Sequence, residues 1–198
     1  MCEDTLKNVL NHLDETFKIL NDKFYNGGLP KPIFTIIPDK KNLGYCTSDK
    51  VWIDDKNAEH QLYEINLSSE YLNRPKDEIV ETLLHEMVHL YCNVNSIRDC
   101  AGKYHNKKYK QYAEEHGLIC EKTKYGYSKT DLSFETKEWI QTLELPKFDL
   151  FRKTQSGSKS KQIVYRYVCP VCGAIARSTK PLNLYCGDCE CEMIRTEY

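Results

Sequence analysis

The sequence predicts an α+β fold, with one domain of ordinary size followed by a small metal-held module. Three observations predict it. Apolar residues recur at helical spacing in separate stretches, short β-branched runs lie between the first two of these, and cysteines crowd the last thirty residues. The chain has 198 residues, 40% hydrophobic and 29% charged, enough for one core and an appendage.

Leu6, Val9, Leu10, Leu13, Phe17, Leu20 and Phe24 recur at three- and four-residue steps and predict an amphipathic helix over 5–25. Asp4 suits its N-cap, and the Gly and Pro of NGGLPKP (26–32) end it. IFTIIP (33–38), LGYCT (43–47), VWIDD (51–55) and LYEINLS (62–68) read as strands separated by polar turns. They predict a small sheet of three or four mostly antiparallel strands packed on helices. NRPKDEIVETLLHEMVHLYC (73–92) begins a second helix, with Asn73 as cap, Pro75 in the first turn, and Asp77 and Glu78 at the positive end of the dipole. Ile79, Val80, Leu83, Leu84, Met87, Val88 and Tyr91 give it a wide apolar surface, so it belongs at the centre of the core. After NVNSIRDCAGKY, a third helix is expected over 105–117, stopping at Gly117, and a fourth around 133–143. The Ser-, Gly- and Lys-rich stretch RKTQSGSKSKQ marks 151–162 as a linker or exposed loop between domains at 1–150 and 163–198.

The net charge of −1 divides unevenly: +4 from Lys147 onward and −5 before it. Such a mildly basic end permits contact with a polyanion without demanding it. No apolar run approaches the roughly 20 residues that span a bilayer, so no membrane partner is expected. The N-terminal MCEDTLKNVLNHLDE lacks the basic start and apolar stretch of a secretory signal, which makes a cytoplasmic location the expectation. Cys2, Cys46, Cys92, Cys100 and Cys120 are scattered, whereas Cys169, Cys172, Cys186, Cys189 and Cys191 cluster, and in a reducing compartment clustering reads as metal binding.

Within the second helix, HEMVH sets His85 and His89 four residues apart with Glu86 between them. Positions i and i+4 nearly eclipse on a helix, so both imidazoles can reach one zinc ion. Glu86 lies to one side of that face, where its carboxylate can deprotonate a water held at the ion's open position. Two histidines and a glutamate are poor residues for an apolar helix unless a metal offsets their burial. A catalytic zinc usually takes three protein ligands. Metzincins would place glycine at 92 and histidine at 95, and this chain has Cys92 and Asn95. A thermolysin-like arrangement would use Glu114 or Glu115, and Asp99 or Cys100 in the loop also has ligand chemistry. His105, at the expected start of the third helix, is the better candidate. His116 suits a helix end as a cationic imidazole before Gly117, while His12 and His60 read as surface residues. Tyr125 and Tyr127 are donors that follow the third helix, and no oxyanion role is assigned to either.

HEMVH, followed across a loop by YHNKKYKQYAEEHGL, resembles the SprT-like family, the bacterial and viral relatives of the Spartan protease. In that family a third histidine stands in an H-x-x-x-aromatic setting, and here His105 is followed by Tyr109. The family often has glycine after that histidine, where this chain has Asn106. LNDKFYNGGLPKPIFTI and LGYC also resemble the family's entry helix and first strands, so the resemblance covers residues 5 to about 120, and a zinc ribbon after it is typical. The resemblance implies a zincin-like catalytic domain in which His85, His89 and His105 hold a catalytic zinc and Glu86 is the general base. It also implies protein substrates, which in the Spartan branch are crosslinked to or assembled on DNA.

CPVC and CGDC contain Cys169, Cys172, Cys186 and Cys189, two C-x-x-C pairs at the spacing of a zinc ribbon, and four thiolates make a closed structural zinc site. So short a tail buries little core without a metal. Cys191 is an extra thiol able to replace Cys189. Tyr165, Arg166, Tyr167, Arg177 and Lys180 offer aromatic and basic side chains for DNA contact. The expected cofactors are one catalytic and one structural zinc. The expected function is a metalloprotease, the alternative a nucleic-acid-binding adaptor with a protease-like fold and no turnover. The oligomeric state is not legible.

Overall fold

The structure is a computed structural model that describes residues 6–146, 148, 150–153 and 164–196. The expected cap Asp4 and most of the expected linker lie outside these residues. The chain divides into two compact units, Met1–Thr154 and Gln155–Tyr198.

In the first unit, α1 (Leu6–Tyr25) turns Val9, Leu13, Phe17 and Leu20 into the core, as its periodicity predicts. Five short strands follow: β1 (Ile33–Thr35), β2 (Gly44–Cys46), β3 (Trp52–Asp54), β4 (Asn57–Leu62) and β5 (Glu64–Leu67). β5 is central in a sheet of order β1-β5-β2, parallel to β1 and antiparallel to β2, so the expected mostly antiparallel sheet is half parallel. The reason lies in β5, which is buried on both faces. Ile65 and Leu67 enter the core, while Glu64 and Asn66 are satisfied by neighbours on both sides. Glu64 accepts from Thr35 (2.8 Å), Tyr45 (2.6 Å) and Trp52 (2.7 Å), and Asn66 accepts from the Ile37 N–H (2.7 Å). β3 does not join this sheet. It forms a separate hairpin with β4, tied back through the Trp52–Glu64 bond.

The second helix, α2 (Lys76–Val94), is central as expected and buries Ile79, Leu83, Leu84, Met87, Val88 and Leu90. Burial of each such side chain contributes about 1.5–3 kcal/mol. Asn73 is not its cap: the N-cap is Pro75, which makes no side-chain cap bond. A second sheet, absent from the sequence expectation, has the order β6-β7-β9-β8, built from β6 (Cys100–Ala101), β7 (Tyr104–His105), β8 (Leu118–Thr123) and β9 (Gly126–Leu132). Between β7 and β8 runs α3 (Lys107–Glu115), shorter than predicted because Asn106 caps it, accepting from the Lys108 and Tyr109 N–H groups. α4 (Phe134–Gln141) is capped by Ser133.

The second unit holds an antiparallel sheet of order β11-β10-β14 and a small ladder of two strands, from β10 (Tyr165–Val168), β11 (Ile175–Ser178), β12 (Tyr185–Cys186), β13 (Cys191–Glu192) and β14 (Ile194–Thr196). Among the described residues no helix is long and apolar enough to cross a membrane.

Candidate metal centre

Glu81, His85 and His89 stand at successive turns of α2, half-buried, while residues 82–84, 86–88 and 90 are buried. Between Ile79 and Leu90 this stripe is the face of the helix that the core leaves unsealed. His105 comes to it from β7 and not, as expected, from the start of α3. Its Nε2 lies 3.2 Å from Nε2 of His85 and 3.0 Å from Nε2 of His89. Ligands on a tetrahedral zinc, with Zn–N of about 2.0–2.1 Å, are separated by about 3.3 Å.

Each ring is held from behind through Nδ1. His89 Nδ1 meets Asp99 Oδ2 at 2.5 Å, and His105 Nδ1 meets the Lys103 carbonyl at 3.2 Å. His85 Nδ1 lies 3.0 Å from Thr130 Oγ1, whose own proton goes to the Glu81 carboxylate. Thr130 therefore accepts from His85. All three Nδ1 atoms are donors, and all three Nε2 atoms carry lone pairs pointing at one another. Burial, reinforced by the neighbouring imidazoles, holds His85 well below the usual histidine range and brings His105 to about 4, so neither ring is cationic near neutrality. Tyr109 forms the floor, its ring centroid 5.0, 4.8 and 4.5 Å from those of His85, His89 and His105.

His105 is fixed by an approach that only glycine permits. β7 runs against β9 through a parallel bridge between His105 and Gly126, and the His105 N–H donates to the Tyr125 carbonyl at 3.0 Å. Gly126 has φ +72°, and a Cβ there would lie 1.9 Å from the His105 carbonyl oxygen. Glu86 is buried beside β2, whose Cys46 N–H donates to it. A Cβ on Gly44 would meet the Asn66 carbonyl at 2.7 Å and Glu86 Oε1 at 3.2 Å, so glycine makes room for that carboxylate as well. Burial pushes the Glu86 pKa up to about 7; His89 opposes this, and the Glu81 and Asp99 carboxylates add to it.

The other candidates lie elsewhere. Glu114 and Glu115 are exposed, bonded to Lys110 and Gln111. Asp99 and Cys100 group with His89, on its Nδ1 side. His116 does end α3, but it is half-buried against Tyr25 and Tyr91, and burial lowers its pKa, which corrects the cationic reading. His12 packs edge-on against Phe148 and is half-buried; His60 is exposed, beside Asp54. Tyr125 lies under Lys124 and Tyr127 under Lys110. Sequence reasoning missed Glu81, Thr130 and Gly126, and saw Asp99 only as a ligand. The spacing Glu81–His85–His89 was visible as one helical stripe, whereas nothing near Thr130 signals its partner.

In the second unit the thiols of Cys169, Cys172, Cys186 and Cys189 lie within 4.8 Å of one another, a group compatible with zinc. The Cys172 N–H donates to Cys169 Sγ at 3.5 Å and is the main cause that brings the Cys169 pKa down to about 6. Cys191 Sγ stands 3.6 Å from Cys169 Sγ. Tyr167 is buried, its hydroxyl accepting from the Leu182 N–H at 2.7 Å, so it belongs to this unit's core and not to a stacking surface.

A family model described as the SprT-like family matches residues 13–128. No curated protein and no solved structure matches the chain significantly.

Proposed function

The chain belongs to the SprT-like family, and from that premise we propose that it is a zinc-dependent metalloprotease of zincin-like fold. In this reading His85, His89 and His105 hold the catalytic ion, and Glu86 is the general base. The convergence of three Nε2 lone pairs carries it, because such groups repel unless a cation lies between them. Zinc, when bound, supplies the Lewis acidity that lowers the pKa of water toward about 7 and polarises a carbonyl. Glu86 takes the proton of the attacking water and returns it to the departing amine, a task suited by a carboxyl whose pKa lies near 7. Asp99, Thr130 and the Lys103 carbonyl keep the rings oriented throughout.

A peptide substrate is supported by β2, the edge strand of its sheet among the described residues, with Gly44 and Cys46 beside Glu86, because an extended chain can add to a sheet edge. We assign a structural zinc to Cys169, Cys172, Cys186 and Cys189, and a cytoplasmic setting suits thiolates kept as ligands. The exposed Arg177 and Lys180 support DNA as the scaffold on which protein substrates are met.

The test joins metal analysis to proteolysis. The purified protein should carry about two zinc per chain, falling to about one in the double variant His85→Ala/His89→Ala. Glu86→Gln should keep both and lose casein and histone cleavage, measured with and without DNA. Unimpaired cleavage in Glu86→Gln overturns the assignment, and DNA binding by a wild type that cleaves nothing favours the adaptor.

A further inference from the structure

We propose that His89 Nδ1, Asp99 and Cys100 form a second cation site, for a borderline-soft divalent ion, behind the three-imidazole centre. It rests on the preceding reading in one respect, that His89 gives its Nε2 to that centre. The ligand atoms of the three residues lie within 4.8 Å of one another. His89 Nδ1 is 2.5 Å from Asp99 Oδ2, and the Cys100 thiol faces the same carboxylate. Asp99 is buried, whereas His89 and Cys100 are half-buried, with Cys100 on the edge strand β6. An incoming ion therefore has a route from solvent.

The exchange balances. One divalent cation enters, the Nδ1 proton of His89 and the thiol proton of Cys100 leave, and the net charge of the group is unchanged. Nitrogen, carboxylate oxygen and thiolate together suit zinc, cobalt or cadmium better than calcium or magnesium. The His89 ring then bridges two ions about 6 Å apart. Because filling it requires an imidazole to lose its second proton, this site takes its ion more weakly than the four-thiolate group or the three-imidazole centre. It fills when free ion is in excess. Once filled, it removes the proton through which Asp99 orients His89, so an excess of metal acts on the centre through one of its own ligands.

The experiment adds cobalt(II) to the full-length, zinc-loaded protein, since cobalt does not displace zinc from equivalent ligands. The expected result is about one further cobalt per chain, with a thiolate-to-cobalt charge-transfer band in the near ultraviolet. Cys100→Ser and Cys100→Ala should both abolish the band and the extra uptake while keeping the zinc content of the wild type. No further uptake, or a band that survives both substitutions, overturns the proposal. His85→Ala separates the two readings: it should lower the zinc content yet leave the Cys100-dependent band. If the wild type carries no zinc at the imidazole centre but shows that band, the protease reading fails, and the ion held by His89, Asp99 and Cys100 stands without the bridge through the His89 ring.

Discussion

Thr130 does for His85 what Asp99 does for His89, with the difference that it passes the bond on to Glu81. Thr130→Val keeps the shape and removes the acceptor. We expect zinc affinity at the three-imidazole centre to fall about 10–100-fold, with the helix content unchanged, as a competition titration against a chelator would measure. Tyr109 makes a different prediction. Its ring packs under all three imidazoles, yet its buried hydroxyl finds no hydrogen-bond partner among the described residues. Tyr109→Phe should therefore hold or raise the melting temperature and keep the metal, whereas Tyr109→Ala should cost about 3–5 kcal/mol in a denaturant titration. At this scale the sequence was legible where chemistry repeats with the helix. His85, Glu86 and His89 announce themselves by spacing, and Glu81 extends the same stripe. Thr130 is one threonine among polar residues, and only its place on β9 gives it a role.

Among the elements, α1 is legible to within a residue, predicted at 5–25 and found at Leu6–Tyr25, because its apolar stripe is long and regular. The sheet of order β6-β7-β9-β8 was not. β6 and β7 have two residues each, too few for any periodicity, and β8 and β9 (LICEKT, GYSKTDL) carry their charges at exposed positions and bury few apolar residues between them. That sheet nevertheless brings His105 to α2. Gly126→Ala should force β7 and β9 apart, because the new methyl would overlap the His105 carbonyl. The expected outcome is loss of the catalytic zinc with the four-thiolate zinc retained, read as a fall from about two metals to about one. Asn106, which stands where the family often has glycine, caps α3; Asn106→Ala should cost about 1 kcal/mol of stability without altering the metal content.

For the whole molecule, the division into Met1–Thr154 and Gln155–Tyr198 separates two sources of stability. The first unit has a core built around α2. The second buries Tyr167, Cys169 and Cys186 and little else among the described residues, and the zinc proposed for its four thiols would supply the cross-link that so small a core lacks. Cys186→Ser should make the second unit sensitive to limited proteolysis while the first keeps its far-ultraviolet circular dichroism. Two C-x-x-C pairs made the thiol cluster readable from the sequence; the parallel β1–β5 pairing was not, since it is decided by which strand is buried on both faces. The bridge between His105 and Gly126 also imposes an order on biosynthesis. A nascent chain that has emerged only as far as α3 presents His85, His89 and His105 without the strand that anchors the third ring. On the proposed zinc reading, the three-ligand set would therefore be complete only once the ribosome has released Gly126 and the rest of β9, and a half-made polypeptide would lack it.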